Sequence, residues 1–386
     1  MNQIGRAIGE NHERPASSNL TPVTSPVLRS AAEFLSQLGS SGAPFLLDVR
    51  EPDEFVDWAI PGALNIPLGQ LPDRTDEIPR DRDVVVICAK GGRATAGASI
   101  LLEKGFAASV LDGGMSSWAV TYDSVSTSMA GATVVQVRRR GKGCLSYVVA
   151  AGEKCAVIDP STDVKLYFDI AEQLGVKISY IFDTHLHADH ISGGRLLREE
   201  TGADLILNPS DPFHYDYTPL TDGMSIELDE GVHLRVEALR APGHTEGSTI
   251  YRLADACIFT GDTLFLESVG RPDLADQAEP FARALYHTLH ERVLPLPDDI
   301  VVLPAHWGDA VEVRHGELVA KTLGELRPVL PALALDEEAF VAWAVKSVKD
   351  RPPNYVEIVR YNAGDSTLTL DDIHEKELGP NRCAIA

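Results

Sequence analysis

The chain has 386 residues, 44% of them hydrophobic, which is too long for one ordinary core and points to two or three domains. Thirty-four Lys and Arg against 57 Asp and Glu give a net charge of -23. A surface that acidic repels phosphate backbones and anionic lipid, so nucleic acid and membranes are excluded as expected partners, and an anionic substrate would need positive groups inside its site.

Residues 1–26 read as a disordered lead-in, because Glu10 to Pro26 is rich in Asn, Ser, Thr and Pro. No basic start followed by an apolar run marks a secretory signal there. No run of 18 apolar residues suggests a membrane span. The pattern becomes ordered at Val27: a helix over 31–38, a buried strand over 45–49 (FLLDV), a short helix over 51–57 and a second buried strand over 84–88 (VVVIC). A helix over 93–103 and a strand over 109–111 follow. Strands alternating with helices predict a parallel sheet in an α/β domain spanning 27–122. The small, polar stretch 123–131 reads as a linker. Strand patterns then dominate, at 133–138, 145–150, 155–159, 178–182, 204–207, 226–228, 234–239, 249–253 and 257–260. Helices are expected over 163–174, 194–200, 280–293, 317–326 and 336–346, giving a second domain over 132–330 and a C-terminal extension over 331–386 packed on it.

Five cysteines occur, at 88, 144, 155, 257 and 383; few, odd in number and scattered, they form no disulfide framework and fit a reducing compartment, so a cytoplasmic location is expected. Cys88 ends an apolar strand and opens the loop Ala89-Lys90-Gly91-Gly92-Arg93 before a helix. Glycines let several backbone N–H groups point at one spot, and the helix N-terminus, Lys90 and Arg93 add positive potential. The loop favours thiolate over thiol and would hold a persulfide sulfur. A lone strand-end cysteine is usually inert packing; the ordered Cys-x-x-Gly-x-Arg loop reverses that reading.

These residues, with Asp48-Val49-Arg50-Glu51, Ile60 to Pro67 (IPGALNIP) and Gly113-Gly114 followed by Trp118, resemble a single rhodanese domain. The resemblance implies sulfane-sulfur transfer through Cys88, with Lys90, Gly91, Gly92, Arg93, Asp48 and Arg50 as site residues. Four residues separate Cys88 from Arg93, as in sulfur-transferring members, whereas related phosphatase loops hold five. Trp58-Ala59 departs from the family's usual Gly-His before Ile-Pro-Gly and is read as structural.

Thr184-His185-Leu186-His187-Ala188-Asp189-His190 packs three imidazoles and a carboxylate into six residues, far denser than packing needs. His185 and His187 are expected to project to one side, Asp189 and His190 to another. His244, Asp262 and His306 sit at later strand ends. Any one of these alone would be an ordinary loop or core residue. Together they suit zinc, iron or manganese, one ion or two.

The set matches the metallo-β-lactamase superfamily, which implies an αββα sandwich, and within it resembles the glyoxalase II and persulfide dioxygenase branch. Glyoxalase II uses all seven positions, His185, His187, Asp189, His190, His244, Asp262 and His306, for two metals. Persulfide dioxygenases bind one iron, and the residues matching their ligands are His185, His244 and Asp262. Two further features lean toward the dioxygenase. Val269 to Leu274 (VGRPDL) resembles that family's Gly-Arg-x-Asp-hydrophobic segment, placing Arg271 and Asp273 on the substrate side; alone it would read as a turn with a local ion pair. A rhodanese is also an apt chemical partner. The family's implied cofactor is Fe(II), with two Zn as the alternative. The implied partners are a low-molecular-weight thiol persulfide of glutathione or coenzyme A type, dioxygen, and sulfite or thiosulfate, in a homo-oligomer. Trp307-Gly308-Asp309 stands where glutathione enzymes usually carry Asp-Tyr, which leaves the thiol carrier open.

The rival readings are a binuclear zinc thioester hydrolase, and a rhodanese domain that only docks partners. Several features are set aside: Arg138-Arg139-Arg140 as a solvated hairpin turn, Cys144, Cys155 and Cys257 as packing, Cys383 as a flexible tail thiol, and His287 and His290 as a helix face without carboxylate company.

Overall fold

A computed structural model describes residues 25–39, 42–221, 223–237, 241–273, 277–308, 310–348, 351, 354–379 and 383. Most of the lead-in, Leu274 and Asp309 lie outside them.

The N-terminal sheet is wholly parallel, in the order Val27–Arg29, Ala108–Leu111, Val84–Ile87, Phe45–Asp48, Leu64–Asn65. Every residue of Val84–Ile87 is buried, as a strand covered on both faces must be. Side chains alternate across it: Val84 and Val86 pack with Leu47, Ala94 and Leu101, while Val85 and Ile87 pack with Phe34, Leu46 and Trp118.

The second domain stacks two sheets. One has seven strands, in the order Thr218–Pro219, Asp204–Leu207, Lys177–Phe182, Lys154–Ile158, Cys144–Ala151, Ala132–Arg139, Tyr122–Met129. The other has six: Ser225–Asp229, Val232–Glu237, Ile250–Leu253, Cys257–Gly261, Val301–Pro304, Lys321–Thr322. Between them lie Val134, Leu145, Tyr147, Val149, Ile158, Tyr251 and Phe259. Tyr147 spans the sandwich, its ring 4.9 Å from Phe259 and its hydroxyl donating to the Pro304 carbonyl at 2.6 Å. On the outer face Val135, Val137, Val148 and Val157 meet Tyr167 and Ala171 of helix Lys165–Leu174. Helices Ala278–Thr288 and Glu337–Lys346 cover the other sheet, completing the αββα order. Among the described residues no helix is long and apolar enough to cross a membrane.

Three expectations are corrected. The stretch 123–131 is not a free connector: Tyr122–Met129 is an edge strand paired antiparallel with Ala132–Arg139. Its serines have the composition of a loop, but Ser124, Ser126 and Ser128 alternate as the exposed face of that edge. Residues 317–326 do not form one helix. Lys321–Thr322 pairs with Val301 and Val302, and only Leu323–Leu326 is helical, started by a Thr322–Glu325 capping box.

Arg138 to Arg140 are not a solvated turn either. Arg138 is buried, with Nε and Nη2 on Asp123 at 2.6 and 2.7 Å and Nη1 on the Arg314 and Glu317 carbonyls. Arg139 is also buried and donates from Nε to the Ala119 carbonyl at 2.7 Å. Arg139 thereby ties the second domain to the first. Trp58, the departure from the rhodanese pattern, does the same by donating from Nε1 to the Gly141 carbonyl at 2.8 Å. Position 141 must be glycine there, since a Cβ would lie 2.8 Å from Ala119 Cα.

Candidate metal centre and sulfur site

Strand Lys177–Phe182 ends where the histidine loop begins, and strand Cys257–Gly261 ends beside it at Asp262. The histidine loop, His244, Asp262 and His306, four segments distant in sequence, thereby converge. All seven predicted ligand residues are buried.

His185, His244 and Asp262 come together with ligand atoms within 4.8 Å of one another. His185 Nε2 lies 3.7 Å and His244 Nε2 3.4 Å from Asp262 Oδ2, and all three atoms are buried without a hydrogen-bond partner. Orphaned buried polar atoms are costly unless something else satisfies them, and three aimed at one point fit a cation. The far side of each imidazole is fixed. His185 Nδ1 meets Thr184 Oγ1 at 2.9 Å, and Thr184 is held by Asp159. His244 Nδ1 donates to the Arg271 carbonyl at 3.0 Å. Such outer partners set the tautomer and the ring direction of a ligand histidine.

His187 does not join this group. Its Nε2 is 3.0 Å from Asp159 and 3.9 Å from Asp183. A local reading of the loop put it beside His185; the two rings are adjacent, 4.1 Å apart, but the buried carboxylates claim its Nε2. Asp189, His190 and His306 form a second group together with Cys144, whose Sγ lies 4.0 Å from Asp189 Oδ2. Cys144 is therefore at the site, not mere packing. His306 stands between two carboxylates, its Nδ1 2.6 Å from Asp262 Oδ1 and its Nε2 2.9 Å from Asp189 Oδ2.

Electrostatics set His187 and His306 apart from the other three histidines of the cluster. Burial pushes His185 well below the ordinary imidazole range and lowers His244, which favours neutral ligands. Burial opposes charge on His187 as well, yet Asp159 and Asp183 hold it at about 9. Asp189 and Asp262 likewise overcome burial and hold His306 well above its usual value.

Residues outside the motif build the scaffold. Asp211 accepts from the N–H groups of Leu186 and Gly247, each at 2.8 Å, tying the His185 loop to the His244 loop. Asn362 donates to the His187 and His190 carbonyls, each at 2.9 Å. Glu377 accepts from the Ile191 N–H at 2.8 Å and pairs with Arg139 at 3.0 Å. Ile358 and Ile373 of helices Tyr355–Ala363 and Leu370–Lys376 pack on Ile191. The sequence gives no local signal for any of these; each acts across more than 20 residues. Cys383 is corrected outright. It is buried, its thiol hydrogen-bonds Asp262, and its carbonyl accepts from the Arg271 N–H at 3.0 Å.

Arg271 is buried with Nε and Nη2 on Asp273 at 2.7 and 2.9 Å, and Asp273 also pairs with Arg351. Gly270 fits closely: a Cβ there would overlap the Asp262 carbonyl and lie 3.2 Å from His244 Cβ. His287 does have carboxylates nearby, Glu291 at 2.9 Å and Glu337 at 3.4 Å, on an exposed face. Cys155 and Cys257 sit in strands, where burial pushes both thiols up to about 12.

In the other domain Cys88 Sγ accepts from the Gly91 N–H at 3.1 Å, at the start of helix Gly92–Glu103. The loop is clamped from behind, where the N–H groups of Met115 and Ser116 donate to the Cys88 and Ala89 carbonyls. Gly114, at φ +58°, has no room for a side chain against that loop. Arg93 is not free to face the sulfur; both terminal nitrogens are on Glu54, at 2.6 and 2.8 Å. Lys90 is exposed. Asp48 and Arg50 form a buried pair at 2.7 Å, and Arg50 donates to the Trp58 carbonyl.

Residues 30–121 match the rhodanese-like domain and 139–326 the metallo-beta-lactamase superfamily. Over 207 residues the chain is 32% identical to the persulfide dioxygenase ETHE1 of Bos taurus, covering 52% of this chain and 76% of that protein. The chain belongs to the persulfide dioxygenase family. It carries a rhodanese-like domain ahead of the metallo-beta-lactamase domain. The human ETHE1 persulfide dioxygenase is 34% identical over 45% of this chain, which spans 63% of that relative's length. A hydroxyacylglutathione hydrolase of Pseudomonas entomophila is 30% identical over 40% of this chain and 58% of its own. Two solved structures share the fold. A metallo-beta-lactamase from Staphylococcus aureus has a TM-score of 0.56 at 22% identity, over 62% of this chain and 74% of its own. ETHE1 from Myxococcus xanthus has 0.52 at 23%, over 64% and 100%.

Proposed function

We propose that the chain is a bifunctional sulfur enzyme that oxidises a low-molecular-weight thiol persulfide at an iron centre and transfers sulfane sulfur through Cys88. The overall oxidation balances as RSSH + O2 + H2O giving RSH + SO3(2-) + 2 H+. The observation that carries the reading is the trio His185 Nε2, His244 Nε2 and Asp262 Oδ2, buried, unpartnered and gathered within 4.8 Å, while His187 Nε2 and His306 Nδ1 are hydrogen-bonded to carboxylates. Two imidazoles and one carboxylate are the donor set of non-haem iron oxygenases, and the ion would supply redox chemistry toward persulfide sulfur and dioxygen. The protein's part is to keep His185 and His244 neutral and aimed, through Thr184 and the Arg271 carbonyl, and to exclude bulk water by burial.

In the rhodanese domain the Cys88 thiolate attacks the outer sulfur of thiosulfate, sulfite leaves, and a second thiol then takes the sulfane sulfur from Cys88. The Gly91 N–H and the helix N-terminus stabilise the sulfur anion. The domains are read as 27–122 and 132–330, with 331–386 packed on the second, and with the strand at 122–129 replacing the linker. Arg271 and Asp273 act on the substrate side by fixing the His244 segment.

The test joins metal analysis to oxygen uptake. One iron per chain is expected, with uptake on glutathione persulfide or coenzyme A persulfide that is lost in His185→Ala. Thiosulfate sulfurtransferase activity should be lost in Cys88→Ser while oxygen uptake stays. The hydrolase reading draws on the gathering of Asp189, His190, His306 and Cys144, which could hold a second ion. About two zincs per chain and turnover of a glutathione thioester would establish that reading instead.

A further inference from the structure

Cys383 comes from beyond the last described helix, Leu370–Lys376, and reaches the metal-ligand cluster. Its Sγ lies within 4.8 Å of an Asp262 oxygen and of a His306 nitrogen. The residue is held in register: the Arg271 N–H donates to the Cys383 carbonyl, and the Arg271 carbonyl in turn accepts from His244 Nδ1. One peptide segment thus fixes both the imidazole of a ligand and the position of the thiol. The group formed by His185 Nε2, His244 Nε2 and Asp262 Oδ2, unpartnered and sharing Asp262 with the Cys383 group, points independently to a cation at Asp262.

We propose that Cys383 is an internal sulfur donor to the metal held by Asp262, occupying a coordination position that a persulfide sulfur must take over. The inference rests on the reading of His185, His244 and Asp262 as a metal centre. Its chemistry is ligand exchange: the Cys383 sulfur bonds to the ion with loss of its proton, and an incoming persulfide sulfur displaces it, the proton returning to Cys383. No electron changes hands. A resting centre closed by its own thiolate would be protected from adventitious ligands and would open to sulfur nucleophiles.

The experiment uses the full chain loaded with Co(II) in place of the native ion, read by its absorption spectrum. A thiolate-to-cobalt charge-transfer band is expected in the wild type, lost in Cys383→Ala and kept in Cys144→Ala, the control for the other nearby thiol. A second readout needs no variant. Cys383 alkylation by iodoacetamide, followed by peptide mass spectrometry, should slow at least tenfold when the metal is present; burial alone protects equally with and without it. Bound cobalt with no thiolate band, a band that survives in Cys383→Ala, or alkylation indifferent to metal overturns the proposal and leaves the three-residue centre standing. Failure of the wild type to bind cobalt at all, or loss of no binding in His185→Ala, overturns the metal centre itself, and this proposal with it.

Discussion

Glu377→Ala removes a carboxylate that nothing in the local sequence marks as important. Glu377 is 1% exposed, its Oε1 accepts the Ile191 N–H at 2.8 Å and lies 3.0 Å from Arg139 Nη1, and Lys142 Nζ donates to its carbonyl. Truncation leaves a buried guanidinium without its counter-charge, which costs about 3–5 kcal/mol. It also orphans the Ile191 N–H, adding about 1–3 kcal/mol where no water enters. The expected loss in the urea unfolding free energy of the lactamase domain is therefore about 4 kcal/mol or more. Because Ile191 follows His190 directly, metal affinity should fall with it. Glu377→Gln keeps an acceptor for Ile191 and isolates the charge. Arg139→Met with Glu377→Leu removes both charges and should recover most of the loss, since well-packed apolar replacements of buried pairs are often neutral. The pH sense follows. Burial would raise the Glu377 carboxyl, but Arg139 and Lys142 outweigh it and hold it below the ordinary range. A depressed folded value means the pair's stabilisation is full above the ordinary carboxylate range and is lost as pH falls below it. A Glu377→Ala loss under about 1 kcal/mol, flat between neutral and acid pH, would refute the reasoning.

Gly270→Ala should weaken metal binding at least tenfold by calorimetric titration, because its Cβ would overlap the Asp262 carbonyl and press on His244. Gly114→Ala should abolish thiosulfate sulfurtransferase activity and leave oxygen uptake intact, since it displaces only the Cys88 loop. Below the ordinary glutamate value the rhodanese domain should lose stability as Glu54 protonates. Arg93, against a burial cost, lowers that carboxyl to about 2, so the contribution fades between about 4.5 and 2; scanning calorimetry of wild type against Glu54→Gln reads it. The pair is half-exposed, so the effect should be small and weakened by salt. Trp58→Phe removes the hydrogen bond to the Gly141 carbonyl and should cost about 0.5–1.5 kcal/mol, seen as earlier separation of the two domains' unfolding transitions.

The sequence by itself determined the parallel sheet and the seven ligand-type residues, because those signals are local, while the sandwich followed from the resemblance those ligand residues carry. Val84 to Ile87 is apolar throughout and so must be covered on both faces, and His185 to His190 holds more imidazole than packing can use. Composition misled where context overrode it. The Ser- and Thr-rich 123–131 reads as a linker until Ala132–Arg139 pairs with it, and three arginines in a row read as solvated until Asp123 and Glu377 take them inside. Only the tertiary structure decided which histidines face carboxylates. That depends on Asp159 and Asp183 lying against His187 Nε2, and on Asp189 and Asp262 flanking His306. It alone brought Asn362, Glu377 and Cys383 to the cluster, from more than 75 residues past Asp262. A strand or a motif is written in neighbouring residues; the protonation and direction of a buried side chain are set by whichever charges the fold packs against it, and those come from anywhere in the chain.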